Sequence, residues 1–114
     1  MKTNAKLFSE AFQIVAKALS PRSPKEVYQY VHAVAENGKL TLTGTNGELT
    51  VKRSLSCEGS LPPSLLPVRV GEIAKLSSDW IEIAGENSRL IVSSPLGRNT
   101  LSTRTADDYP LPDE

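Results

Sequence analysis

A chain of 114 residues, 39% of them hydrophobic, is long enough to bury one core of ordinary size without disulfide or metal staples. Thirteen Lys and Arg balance thirteen Asp and Glu, which excludes a strongly basic nucleic-acid binder but leaves room for a cationic patch on one face. The single Cys57 cannot form an intrachain disulfide and, with the single His32, cannot complete a zinc site, so neither metal nor cofactor is expected. A lone thiol fits a reducing compartment. The opening Met1-Lys2-Thr3-Asn4 lacks the apolar core of a signal peptide, and no later run is long enough to span a bilayer. The expectation is a soluble, cytoplasmic protein with no membrane partner.

The first element is a helix over 6–20. Phe8, Ala11, Phe12, Val15 and Leu19 recur at helical spacing, while Lys6, Ser9, Glu10, Gln13 and Lys17 gather on the other side. Leu7, Ile14 and Ala18 are expected to widen the apolar stripe. Ser20-Pro21-Arg22-Ser23-Pro24 then stops the helix and sets Arg22 on an exposed turn. Alternation over 27–35 predicts a strand, with Val27, Val31, Ala33 and Ala35 on one face and Tyr28, Tyr30, His32 and Val34 on the other. After the tight-turn signal Glu36-Asn37-Gly38 come a second strand, 39–45, and a third, 48–55. In the third, Leu49, Val51 and Leu55 alternate with Thr50, Lys52 and Ser54. The opening Thr3-Asn4-Ala5 has no apolar alternation and makes a poor strand.

The segment 56–63, with Gly59 and two prolines, reads as a loose crossover between two halves of one domain. Ser64-Leu65-Leu66 makes a short strand candidate, and Pro67 suits the start of a second helix over 68–77. Val70, Ile73, Ala74 and Leu76 form its apolar side, with Arg69, Glu72 and Lys75 opposite. Gly71 should weaken this helix by roughly 1 kcal/mol relative to Ala. Strands are predicted at 80–84, 89–94 and 98–104, joined by turns at Gly85-Glu86-Asn87 and Pro95-Leu96-Gly97.

Helix followed by three strands therefore occurs twice, the second copy beginning roughly 60 residues after the first, a repeat of pattern with little repeat of identity. The fold class is α+β, one domain over 1–114 with half-repeats at about 1–56 and 57–110 and both helices on one face of antiparallel sheet. Their polar stripes would form one surface carrying Lys6, Gln13, Lys17, Arg69 and Lys75, with Arg22 at the rim and Glu10 and Glu72 diluting it. Mild, distributed basicity of this kind suits contact with phosphates along a backbone better than readout of bases.

The run 101–110, Leu-Ser-Thr-Arg-Thr-Ala-Asp-Asp-Tyr-Pro, resembles the end of the first domain of the bacterial DNA polymerase III beta subunit, the sliding clamp family. Residues 38–46, Gly-Lys-Leu-Thr-Leu-Thr-Gly-Thr-Asn, resemble its second meander strand, where an Asp commonly stands at the position of Asn46. Arg22 falls where that family carries an arginine that touches DNA. The resemblance covers essentially the whole chain. It implies a DNA clamp fold, two helix-plus-sheet repeats per domain, six domains closing into a ring, and helices lining a hole around duplex DNA. The implied role is to hold a replicative polymerase on DNA, without sequence recognition and without chemistry, with a clamp loader as a further partner. The family's subunit has three domains, and the pocket with which it grips polymerases belongs mainly to the third.

Plainer readings stand beside these. The cations of the helices could be only a solvated face, and Arg22 only a solubilising charge. Tyr28, Tyr30 and His32 could form a stacking platform for single strands, but an outward sheet face at a subunit or domain contact is favoured. Trp80 is expected to pack at a helix–strand junction. The run 44–47 has too few glycines, and no Lys-Ser or Lys-Thr after it, for a phosphate loop. Ser23, His32 and Asp79 make a triad only on paper, and Asp107 with Asp108 lies in the loop the resemblance already explains, so no enzyme is expected. Two readings remain: a clamp domain around duplex DNA, as a homo-oligomer or part of a multi-domain ring, and a clamp-fold interaction module that pairs by a strand edge without binding DNA.

Overall fold

The computed structural model describes residues 1–19, 29–46, 48–77, 79–86 and 89–103. Its order is β1 (Lys2–Asn4), α1 (Ala5–Ala16), β2 (Tyr30–Glu36), β3 (Lys39–Thr45), β4 (Thr50–Ser56), β5 (Leu61–Pro67), α2 (Val68–Leu76), β6 (Trp80–Glu86), β7 (Arg89–Ser94) and β8 (Gly97–Ser102). The α+β class and the repeated helix-plus-strands order hold. The strands form two antiparallel four-stranded sheets, β4-β3-β2-β5 and β1-β6-β7-β8, in place of one common sheet. Each repeat opens with a strand that it gives to the sheet of the other: β1 pairs with β6, and β5 pairs with β2. In both exchanges the residue before the helix lies opposite an aromatic side chain, Asn4 against Trp80 and Pro67 against Tyr30.

Two of these strands correct the sequence reading. Lys2–Asn4 is a strand although its residues do not alternate, because its partners are far along the chain. The Met1 amine donates to the Ile83 and Ser60 carbonyls at 3.1 and 3.3 Å, and Thr3 Oγ1 donates to the Ser56 carbonyl at 2.7 Å. Leu61–Pro67 is a seven-residue strand: it includes the expected short strand 64–66 but begins in the expected crossover, despite Pro62 and Pro63, and takes in Pro67, expected to open the helix. It ends its sheet, where a missing N–H is tolerated, and the register with β2 shifts between Ala33 and Ala35, opposite those prolines.

The first helix is shorter than 6–20. Asn4 caps it, its Oδ1 accepting from the Leu7 N–H at 3.0 Å, and Lys17 closes it. Ala5, Phe8, Phe12 and Val15 are buried, and Ala18 beyond the helix is buried too, but Leu7 and Ile14 are exposed and do not widen the stripe. The third strand begins at Thr50, so Leu49 is an exposed turn residue. Asn46 makes that turn: its Oδ1 accepts from the N–H groups of Glu48 and Leu49 at 2.9 and 2.8 Å. Val27 and Tyr28, Arg22 and Ser23, and the run from Arg104 onward lie outside the described residues.

One core joins both halves: Phe8, Phe12 and Val15 of α1 with Leu40 and Leu42 of β3, Val70 and Ala74 of α2, Ile81 and Ile83 of β6, and Leu90 and Val92 of β7. Two glycines set how closely the layers approach. A Cβ on Gly44 would lie 2.5 Å from the Val15 carbonyl oxygen, so α1 rests almost directly on β3. A Cβ on Gly71 would lie 2.5 Å from Phe12 Cδ1, so the Phe12 ring fills the notch in α2. The residue that weakens α2 by propensity lets the two helices pack side by side.

Candidate nucleic-acid interface

Because α1 buries Ala5, Phe8, Ser9, Phe12 and Val15, residues seven and eleven further along from Lys6 come round to one outward stripe. Lys6, Gln13 and Lys17 occupy it, all exposed. In α2 the buried side is Val70, Gly71 and Ala74, leaving Arg69, Glu72 and Lys75 exposed. Four cations, Lys6, Lys17, Arg69 and Lys75, thus share the outer faces of the helices with two carboxylates, Glu10 and Glu72.

The structure brings Gln13 and Lys75 together. Both line an open cleft of about 220 Å³ between the helices, with Phe12, Ala16, Val68, Gly71 and Glu72. Gln13 is steadied by its own helix, its Nε2 donating to Ser9 Oγ at 3.2 Å. Lys6, Lys17 and Arg69 stand on the exposed faces outside that cleft, and Arg22 lies outside the described residues. The same faces also show apolar side chains, notably Leu76, expected on the buried side of α2 but 74% exposed, and Val68, 49% exposed.

The groups that could suggest other chemistry are placed differently. His32 is 4% exposed, and its burial lowers its pKa below the ordinary imidazole value. A buried ring cannot serve as a stacking platform, and Tyr30 beside it is half-buried. Cys57 lines a second open cleft, of about 420 Å³, with Lys2, Thr3, Asn4, Leu7, Ser56, Glu58, Asp79 and Trp80. Burial raises the Cys57 pKa, against a smaller lowering by the N-terminal charge, which makes the thiol a poor nucleophile at neutral pH. Trp80 stands where α2 gives way to β6, with Lys2 Nζ 4.6 Å from its ring centroid. Among the described residues no three His, Cys, Asp or Glu side chains are grouped to hold a metal ion, and no helix is long and apolar enough to cross a membrane.

No family model matches the chain. It is 33% identical over 107 residues to the beta sliding clamp of Pseudomonas aeruginosa, an overlap of 90% of this chain and 29% of that protein. The crystal structure of the DNA polymerase III subunit beta sliding clamp from Pseudomonas aeruginosa bound to griselimycin superposes with a TM-score of 0.88 at 30% identity, covering 100% of this chain and 32% of that one. Two further clamps share the fold at 21% identity. One, from Bartonella birtlesii, has a TM-score of 0.89 over 100% of this chain and 32% of its own; the other, from Streptococcus pneumoniae, 0.88 over 99% and 33%. The chain spans about a third of the length of these relatives. In sequence and in fold alike, it is similar to a domain-sized part of the bacterial DNA polymerase III beta sliding clamp.

Proposed function

We propose that the chain, 1–114 with half-repeats at about 1–56 and 57–110, acts as a sliding-clamp domain that lies against duplex DNA without reading its sequence. Its role is then to help hold a replicative polymerase on the template, with a clamp loader as a further partner. The observation that carries this reading is the pair of helices laid side by side with Lys6, Gln13, Lys17, Arg69 and Lys75 outward, in a domain whose fold and sequence match those of clamps. Long, solvated cations spread over two helices suit phosphates spaced along a backbone better than the readout of base edges. Arg22 belongs to the same surface in this proposal, at its rim. Encirclement needs further domains, supplied by other copies of the chain or by a longer ring, joined head to tail.

Charge reversal tests the surface. Lys17→Glu with Lys75→Glu is expected to reduce retention on duplex DNA and to lower the salt dependence of binding by about two ion equivalents, with the thermal melt unchanged. The Arg22→Glu variant should act in the same direction. Retention equal to that of the parent chain would remove these residues from the site.

A second reading has one observation in its favour. Leu76 and Val68 on the outer face of α2 suit a protein surface better than phosphates, as an interaction module that does not bind DNA would require. That module would be indifferent to the lysine substitutions.

A further inference from the structure

We infer that the open cleft at the start of α1 is a docking site for an arginine side chain of a partner protein, with an apolar neighbour of that arginine resting on Leu7. The site does not depend on contact with DNA.

The cleft is built around β1. Thr3 is buried and donates inward to the Ser56 carbonyl, so Lys2 and Asn4 point to the opposite face of the strand. Trp80 lies across from Asn4 on β6 and shares that face. Lys2, on the same face, brings Nζ to 4.6 Å from the indole centroid. Lys2 also exchanges both of its backbone hydrogen bonds with Glu58, each 2.8 Å, and the Asp79 carbonyl accepts from the Ala5 N–H at 3.0 Å. These bonds close the outer edge of β1, so no added strand can pair there and recognition falls to side chains. They also hold Glu58 and Asp79 on the wall of the cleft, where neither carboxylate has a hydrogen bond or ion pair among the described residues. The volume, about 420 Å³, is that of a ligand pocket, for which the range is roughly 300–1,000 Å³.

The charges on the wall set the occupant. Two carboxylates, Glu58 and Asp79, line the cleft with one ammonium, Lys2. The Met1 ammonium donates to the Ser60 and Ile83 carbonyls and is not part of the lining. A phosphate is therefore disfavoured here and a cation favoured. Lys2 shows that the indole face receives a cation, yet its ammonium pairs with neither carboxylate. A guanidinium, planar and rich in donors, can stack on the indole and bond a carboxylate at once, releasing Lys2 to water. Leu7, 55% exposed on the same wall, offers apolar surface to the residue beside the arginine. That apolar shelf suits a peptide and is of no use to a free polyamine.

The test titrates the full chain with acetyl-leucyl-arginine amide, with its neutral citrulline counterpart and with spermidine. Trp80 and Cys57 are the single tryptophan and the single cysteine, so indole fluorescence and iodoacetamide labelling both report on this cleft alone. The arginine peptide should change the fluorescence saturably and slow the labelling, and the citrulline peptide should bind roughly tenfold more weakly. Glu58→Gln with Asp79→Asn should weaken the arginine peptide by roughly the same factor. Lys2→Ala should strengthen it severalfold. Lys17→Glu, about 20 Å along α1 from Asn4, should leave it unchanged, with thermal melts showing that each variant is folded. Equal binding of the citrulline peptide, or no loss in the folded double variant, would overturn the guanidinium site. Spermidine binding as well as the arginine peptide would overturn the peptide as occupant. No change in fluorescence or labelling with any of the three would overturn the site itself, and would leave the proposed contact with DNA untouched.

Discussion

His32 carries a pH dependence that follows from its burial. It lies on β2 between Thr43 of β3 and Leu65 of β5, both buried. Removal from water disfavours the imidazolium, so the folded pKa lies below the ordinary value near 6.5 while the unfolded chain keeps that value. Between the two pKa values the unfolded state binds more protons, so stability is full above about 6.5 and falls as pH drops through the folded pKa. Denaturant midpoints should therefore be flat above neutrality and decline below about pH 6.5, and the His32→Gln variant should lose that part of the decline. A midpoint unchanged between pH 7.5 and 5.5 would contradict the assignment. Alternation gave His32 its correct side of the strand. It could not say that this side is covered, because parity fixes direction and says nothing of what packs there. Asn46 is legible in the same partial way: the sequence marks a turn, and the structure shows the side chain holding two turn N–H groups.

At the scale of elements, the α1–α2 contact is the joint that makes one surface of two stripes. Gly71 is buried against Phe12, itself 1% exposed and unable to swing away. In an isolated helix Gly71→Ala would gain about 1 kcal/mol. Here the added methyl overlaps the ring, and a net loss of roughly 1–3 kcal/mol is expected from the denaturant midpoint, with part of it recovered in the double variant with Phe12→Leu. A more stable Gly71→Ala chain would mean that the helices do not meet at this point. Strands β3 and β7 were legible to the residue because short runs of strand-forming residues are bounded by Asn-Gly, Ser-Pro and similar turn signals. β1 and β5 were not. Three residues carry too little pattern for β1, and two prolines argue against β5 unless its place at a sheet end is known.

Across the whole molecule, the repeat is visible in the order of elements while the exchange of opening strands is not, since nothing in β1 or β5 names its partner. The exchange ties the two halves into one core and brings both helices to one side, which is what turns a neutral chain into one with a mildly cationic face. A net charge of zero and a surface of four helical cations are compatible because electrostatic attraction to DNA acts through local potential within a Debye length, about 10 Å at 0.1 M salt. The central claim is that this face meets duplex phosphates irrespective of sequence. It is tested most directly by the affinity of the unmodified chain for two duplexes of unrelated sequence, measured across salt concentration. The account predicts coincident lines with a slope of at least about −3 to −4, the contribution of Lys6, Lys17, Arg69 and Lys75. Affinity confined to one sequence, independent of salt, or absent at low salt would contradict it.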